Sequence, residues 1–225
     1  VIRMVKLGGP VFQPIAVGTL LQDDFEAALL KWTDFGTGTG HAISRITTKA
    51  SHGEACLRVT SGSANGDVGE AGRAIGWRPR KYVSFTFWFS MTSLTNVSTV
   101  WAKLEARDGV NREEYQVRWV ISTGAITIRT PAGYVTLGTK TNIAYGDQIW
   151  HYLRIVLNPI AKRYVSVQLD ERIYYPVDQA PYATADIAWP ETLALVLANT
   201  CAGVASVTTD FDDVVLKESD ILTDY

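Results

Sequence analysis

From Val83 to Met91 the chain alternates: Val83, Phe85, Phe87 and Phe89 fall on one set of positions, and Ser84, Thr86, Trp88 and Ser90 on the other. A period of two sends successive side chains to opposite faces, so this segment predicts a half-buried β-strand. The next run repeats the pattern. Val100, Ala102, Leu104 and Ala106 take one face and Trp101, Lys103, Glu105 and Arg107 the other, before Asp108-Gly109 signals a turn. Tyr115, Val117, Trp119 and Ile121 then form an inward set, with Gln116 and Arg118 outward. Further strand-like runs cover Ala42–Thr47, Ala55–Thr60, Ala125–Thr130, Tyr134–Leu137, Trp150–Leu157, Tyr164–Leu169, Leu193–Ala198 and Val207–Leu216. Gly124, Pro131-Ala132-Gly133, Asn158-Pro159 and Asp170-Glu171 punctuate them.

Phe25–Trp32 is the one helical candidate, and it is too short to organise a fold. Many short strands without βαβ alternation predict an all-β fold, a two-sheet antiparallel jelly-roll β-sandwich. Its interior should hold Phe85, Phe87, Phe89, Leu104, Val117, Trp119, Leu153, Ile155, Val165, Val167, Leu195 and Leu197. Residues 23–225 read as this sandwich domain and residues 1–22 as an N-terminal arm or strap. The arm is apolar, broken by Gly8, Gly9, Pro10 and Pro14, and lies outside the alternating pattern. It reads either as an edge strand or strap over the sandwich, or as an arm, Val1–Leu21, that docks on a neighbouring subunit.

The chain has 225 residues, enough for a substantial core without staples, and all-β sandwiches reach this length as one unit. Basic residues number 21 and acidic residues 23. This balance argues against nucleic acid as the main partner, and with no apolar run of spanning length it argues against membrane insertion. Cys56 and Cys201 have no metal or redox spacing and read as free buried thiols, with a disulfide between them as the alternative. Seven tryptophans, ten tyrosines and seven phenylalanines exceed what a core needs if any face outward, where aromatic rings serve recognition.

Several segments together resemble the concanavalin A-like lectin/glucanase superfamily, in particular its laminin G-like and carbohydrate-binding-module members. Asp23–Trp32 (DDFEAALLKW) resembles the opening strand, Ser51–Thr60 (SHGEACLRVT) a His-Gly segment leading into a strand, and Val83–Met91 the aromatic central strand. Trp150–Tyr174 is similar to a Trp-His strand, a turn and a strand closing on Asp170, and Phe211–Glu218 to the closing strand that pairs beside the first. The resemblance implies the fold; its members range from lectins to lyases, so it leaves function open.

The resemblance also invites a search for catalysis. Its glucanases carry Glu-x-Asp-x-x-Glu on one strand, which is absent here: Glu105 shares its face with Arg107, and Glu113 and Glu114 are adjacent and point to opposite faces. His41, His52 and His151 lie far apart and belong to no hydrolase or metalloprotease motif. No catalytic residue and no cofactor are therefore expected. The resemblance implies that the first and last strands pair, which would bring Asp23 and Asp24 towards Asp210, Asp212 and Asp213. These are candidate oxygen ligands for a structural calcium, although no Asp-x-Asp-x-Asp-Gly loop is present and solvated edge charges are the preferred reading.

The remaining constellation is the outward set Trp88, Trp101, Lys103, Glu105, Arg107, Gln116 and Arg118. Aromatic planes beside guanidinium, amide and carboxylate groups suit sugar, since rings stack on pyranose faces and polar groups bind hydroxyls; the equal alternative is a covered face, with each Trp beneath a loop or arm. The leading expectation is a non-enzymatic recognition or adhesion module for a glycan or polysaccharide, acting at an extracellular, cell or virion surface. A structural subunit of an assembly, docking through the arm, is the alternative, and a polysaccharide-active enzyme the third.

Overall fold

The structure is a computed structural model and describes residues 3–6, 12–15, 18–27, 31–76, 82–186 and 192–219. Its strands, in chain order, are β1 (Arg3–Lys6), β2 (Phe12–Ile15), β3 (Thr19–Asp23), β4 (Thr33–Asp34), β5 (Ala42–Ile46), β6 (Cys56–Thr60), β7 (Val68–Ile75), β8 (Tyr82–Met91) and β9 (Val97–Arg107). They continue with β10 (Asn111–Val120), β11 (Ala125–Thr130), β12 (Gly133–Thr139), β13 (His151–Asn158), β14 (Arg163–Leu169), β15 (Arg172–Tyr174), β16 (Tyr182–Ala185), β17 (Thr192–Cys201) and β18 (Thr208–Ser219). Strands hold 60% of the described residues, well above the usual share for globular proteins of about 20–25%, and no helix occurs among them.

Two eight-stranded antiparallel sheets form the body. The first runs β15-β14-β13-β8-β18-β6-β5, with β3 also on β18; the second runs β12-β11-β10-β9-β17-β7-β4, with β16 also on β10. Consecutive strands β8 and β9 therefore belong to different sheets, and the turn at 92–96 carries the chain across the sandwich. β1 and β2 form a separate hairpin. The opening and closing strands do pair, with Val214 opposite Asp23. Of Val1–Leu21, for which a docking role is considered above, residues 1–2, 7–11 and 16–17 lie outside the described residues, as do residues 28–30 of the helical candidate; the described part of that candidate is loop.

The inner faces meet in one apolar core. Phe85, Phe87 and Phe89 are at most 1% exposed, and Phe89 meets Trp119 of the opposite sheet edge-on at 5.8 Å between ring centres. Phe87 packs in the same way on Phe211 of its own sheet at 5.8 Å. Burial of each such side chain stabilises by about 1.5–3 kcal/mol, so the period-two pattern is also the main energetic term. One residue expected inward differs: Val165 is only half-buried. The β13–β14 register shifts between Val156 and Leu157, pairing Val156 with Ser166 but Leu157 with Tyr164. Val165 is the extra residue of that bulge, and Tyr164 turns inward instead, 1% exposed.

Tyr164 fills a fork in the second sheet. β10 pairs with β11 only from Val117 onward, and its first half pairs with β16 instead. At the branch the Tyr164 hydroxyl accepts from the Gln116 amide at 2.9 Å and donates to the Arg129 carbonyl at 2.9 Å. It thereby satisfies backbone groups that lose their ladder partners.

Candidate functional site

The outer face of the second sheet gathers six of the seven outward residues singled out above, because β9 and β10 lie side by side at its centre. Register fixes their rows. Arg107 stands opposite Arg112, Glu105 opposite Glu114, Lys103 opposite Gln116 and Trp101 opposite Arg118. Like charges directly opposite repel, and the face offsets this along the strands. Glu105 lies 2.5 Å from Lys103 and 3.1 Å from Arg107, while Glu114 lies 3.0 Å from Arg112 and 2.7 Å from Arg129 of β11. Burial raises the Glu105 carboxyl, but Lys103 and Arg107 outweigh it and hold the group below its ordinary range. Arg107 reaches on to Asp186, at 3.3 Å, beyond the end of β16.

Trp88 does not belong to this face. It sits on β8, in the first sheet, and faces outward on the opposite side of the sandwich, near Tyr152 at 5.3 Å and His52 at 5.9 Å between ring centres. Alternation correctly turns Trp88 away from Phe87 and Phe89, but β8 and β9 have different outer faces. Trp101 does lie on the face, yet it is no open stacking platform. It is 7% exposed, clusters with Val68, Val196 and Ala198, and donates from Nε1 to Thr200 Oγ1 at 3.2 Å.

Among the described residues, two exposed rings of the face are ones that the outward set omits. Tyr134 of β12 is 41% exposed, donates its hydroxyl to Gln116 Oε1 at 2.7 Å and stacks on Arg118, whose guanidinium carbon is 3.8 Å from the ring centre. Phe35, just past β4, is 57% exposed and lies against Gly72 of β7, where a Cβ would come within 2.6 Å of the ring. Gly72 pairs with Val196, which places the Phe35 ring on the same outer face. The signal for Tyr134 was present in the sequence, since its alternation with Val135 after the Pro131-Ala132-Gly133 turn points it outward. Phe35 precedes the glycine-rich loop 36–40 and carries no periodic signal. Glu70 of β7 also faces this side, opposite Ala198, and burial raises its carboxyl despite the attraction of Lys103.

The acidic residues near the first and last strands take separate partners. Asp23 pairs with Arg73 and accepts from Trp32 Nε1 at 3.1 Å. Asp210, 1% exposed, is gripped by Arg58 at 2.8 and 3.0 Å and lies 3.2 Å from Lys49. Asp212 accepts from the backbone amides of Ser51 at 2.7 Å, His52 at 3.1 Å and Asp213 at 2.8 Å, while burial and then Asp213 push its carboxyl up to about 7. Asp213 contacts His52 Nδ1 at 2.5 Å, and Asp24 accepts from the Glu26 amide at 3.2 Å. Among the described residues no group of three or more His, Cys, Asp or Glu is arranged to hold a metal. Glu113 and Glu114 do point to opposite sides: Glu113 meets Lys162 at 2.5 Å and the Tyr115 hydroxyl at 3.2 Å, away from the Glu114 network. No helix of the described residues is long and apolar enough to cross a membrane.

No known family profile matches the chain, and no curated protein matches its sequence. Solved structures do match. The cellulose-induced protein Cip1 aligns with a TM-score of 0.57 at 12% identity, over 89% of this chain and 98% of its own. The endo-β-1,4-glucuronan lyase of the fungus Trichoderma reesei gives 0.54 at 11%, over 84% and 94%. A structure of carbohydrate-binding modules from the β-sandwich superfamily gives 0.51 at 14%, over 92% and 67%. At such identities the likeness is one of fold. The chain shares with these structures the antiparallel two-sheet β-sandwich fold.

Proposed function

We propose that this chain is a non-enzymatic glycan-binding module whose ligand lies across the outer face of the second sheet. The observation that carries the reading is the placement of two exposed rings, Phe35 and Tyr134, at opposite margins of one polar face. From β7, under the Phe35 ring, to β12 is five strand spacings, about 24 Å along the sheet, the span of an oligosaccharide rather than a monosaccharide. Between the rings lie ion-paired guanidinium, amide and carboxylate groups held in register, which suit hydroxyl recognition without rearrangement.

The ion pairs also support a binding role over a catalytic one. Glycoside hydrolysis needs one carboxyl kept protonated near neutrality beside a second, ionised one. Glu105 and Glu114 each engage both carboxylate oxygens with cations, which leaves neither placed to hand a proton to a glycosidic oxygen. Extracellular or surface exposure fits such a ligand.

A glycan array with the purified chain, followed by affinity electrophoresis of the Phe35→Ala and Tyr134→Ala variants in the best polysaccharide, tests the reading. Retardation of the parent chain, weakened in both variants, is the expected result. No retention on any polysaccharide, or retention unchanged in both variants, overturns it. Release of reducing or unsaturated sugar ends during incubation would overturn the non-enzymatic part alone.

A further inference from the structure

Among the described side chains of this face Arg118 stands apart. Lys103 and Arg107 are tied to Glu105, and Arg112 and Arg129 to Glu114. Arg118 lies flat on the Tyr134 ring, and its Nε is buried with no hydrogen-bond partner. Thr127 stands directly opposite Arg118 across the β10–β11 ladder, and its Oγ1 is likewise buried and unpartnered. Two neighbouring polar groups withdrawn from water without partners cost stability, and folded chains rarely keep such a pair without use for it. Burial disfavours the Arg118 charge and nearby Arg129 adds to this, while no ion pair to Arg118 occurs among the described residues. The spot therefore lacks an anion.

The geometry selects the anion. A guanidinium held against a ring by its face can offer its Nη end for two parallel N–H···O bonds, which match a planar carboxylate, and a neighbouring hydroxyl can give a third. We propose that Arg118 and Thr127 form a subsite for the carboxylate of a uronic acid unit, within an acidic polysaccharide lying across the face. This deepens the glycan-binding reading and rests on it. The Tyr134 ring, stacked on the guanidinium, borders the sugar ring that carries the carboxylate.

Calorimetric titration with three soluble polymers of matched length tests the subsite: a polyglucuronate, its carboxyl-reduced neutral form, and a sulfated derivative of that neutral form. The unaltered chain should bind the polyuronate at least about tenfold more tightly than either other polymer. Arg118→Gln should abolish that advantage, bringing the polyuronate and neutral-polymer affinities within about twofold of each other, and Thr127→Val, which keeps the side-chain volume, should remove part of it. Equal affinity for acidic and neutral polymers, or an advantage that survives Arg118→Gln, overturns the uronate subsite and leaves glycan binding standing. Tighter binding of the sulfated polymer replaces carboxylate with sulfate and also overturns it. Failure of all three polymers to bind a chain that is retained on another polysaccharide overturns the subsite alone, and failure in a chain retained on no polysaccharide refutes the parent reading itself. If Arg118→Gln does not unfold cooperatively, Thr127→Val decides: an undiminished polyuronate advantage in it counts against the subsite.

Discussion

His151 donates from Nδ1 to the Asp170 carboxylate at 2.8 Å, tying the first residue of β13 to the turn that ends β14. The imidazole is 5% exposed and packs edge-on against Trp119 at 5.1 Å between ring centres, with its Nε2 2.9 Å from the Ala144 carbonyl oxygen. This satisfied, enclosed ring makes the Trp-His dipeptide a structural joint between core and edge. Asp170 also takes the Lys140 ammonium at 2.5 Å and the Tyr152 amide at 2.8 Å.

The joint sets an acid limit. Burial opposes ionisation of Asp170, but His151, Lys140 and the Tyr152 amide outweigh it and hold the carboxyl down to about 2, from 3.8. A carboxyl with a depressed folded-state pKa stabilises the fold above its unfolded value and loses that contribution as pH falls through the folded one. Stability should therefore decline from pH 4 towards pH 2, by about 2 kcal/mol from this group. Asp170→Asn suits the positive φ of 52° here; it removes the charge and turns one of the two accepting oxygens into a donor amide. Denaturant titrations should find the variant weaker at pH 6, with a shallower decline below pH 4; parallel acid limbs would contradict this account.

Trp101 and Phe35 should separate stability from binding. Trp101→Ala empties a buried site and should cost about 3–5 kcal/mol in urea unfolding. Phe35→Ala removes an exposed ring and should stay within about 0.5 kcal/mol of the parent while weakening retention on polysaccharide. A Trp101→Ala chain of parental stability would show that its enclosure does not contribute to the fold.

Gly72→Ala reaches the same site indirectly. Its methyl group would come within 2.6 Å of the Phe35 ring, which lies mostly in solvent and is free to swing away. Polysaccharide affinity should fall towards that of Phe35→Ala, with a smaller change in stability. Unchanged affinity in Gly72→Ala alongside a loss in Phe35→Ala would mean that the ring's position over β7 is immaterial.

Cys56 and Cys201 are free and buried. Burial, then Asp210 and Asp212, push the Cys56 thiol up to about 12. A thiol reagent at pH 8 should find neither cysteine in the native chain and both after denaturation without reductant. Rapid labelling of the native chain would place one of them at the surface.

The sandwich was legible because alternation is a local consequence of burial: Phe85, Phe87 and Phe89 announce both strand and interior in a few residues. β7 was not read as a strand. Its sequence VGEAGRAI carries glycines where neighbours press close, since a Cβ at Gly69 would meet the Thr60 backbone at 2.7 Å. Close approach thus replaced the bulky side chains that usually mark a strand. For the site, alternation assigned Trp101, Lys103, Glu105, Arg107, Gln116 and Arg118 to one side of their strands, and the β9–β10 ladder joined them. It could not say that Trp88 belongs to another sheet, because sheet membership depends on where the turn at 92–96 leads. Phe35 was illegible for the same reason: its place over Gly72 is a tertiary fact.

The fork at Tyr164 gives this surface two owners. Beyond the branch point the face is floored by β11 and β12, but beside Glu114 and Arg112 its floor is β16, a four-residue strand reached through the connection that follows β15. Tyr182 over Arg129 and Asp186 on Arg107 both come from that short segment. One end of the face is thus built from interchangeable trim, attached to a frame that Tyr164 has already closed. Length and sequence changes between residues 175 and 186 can reshape what that end accepts, while the strands carrying Arg118 and Tyr134 keep their register.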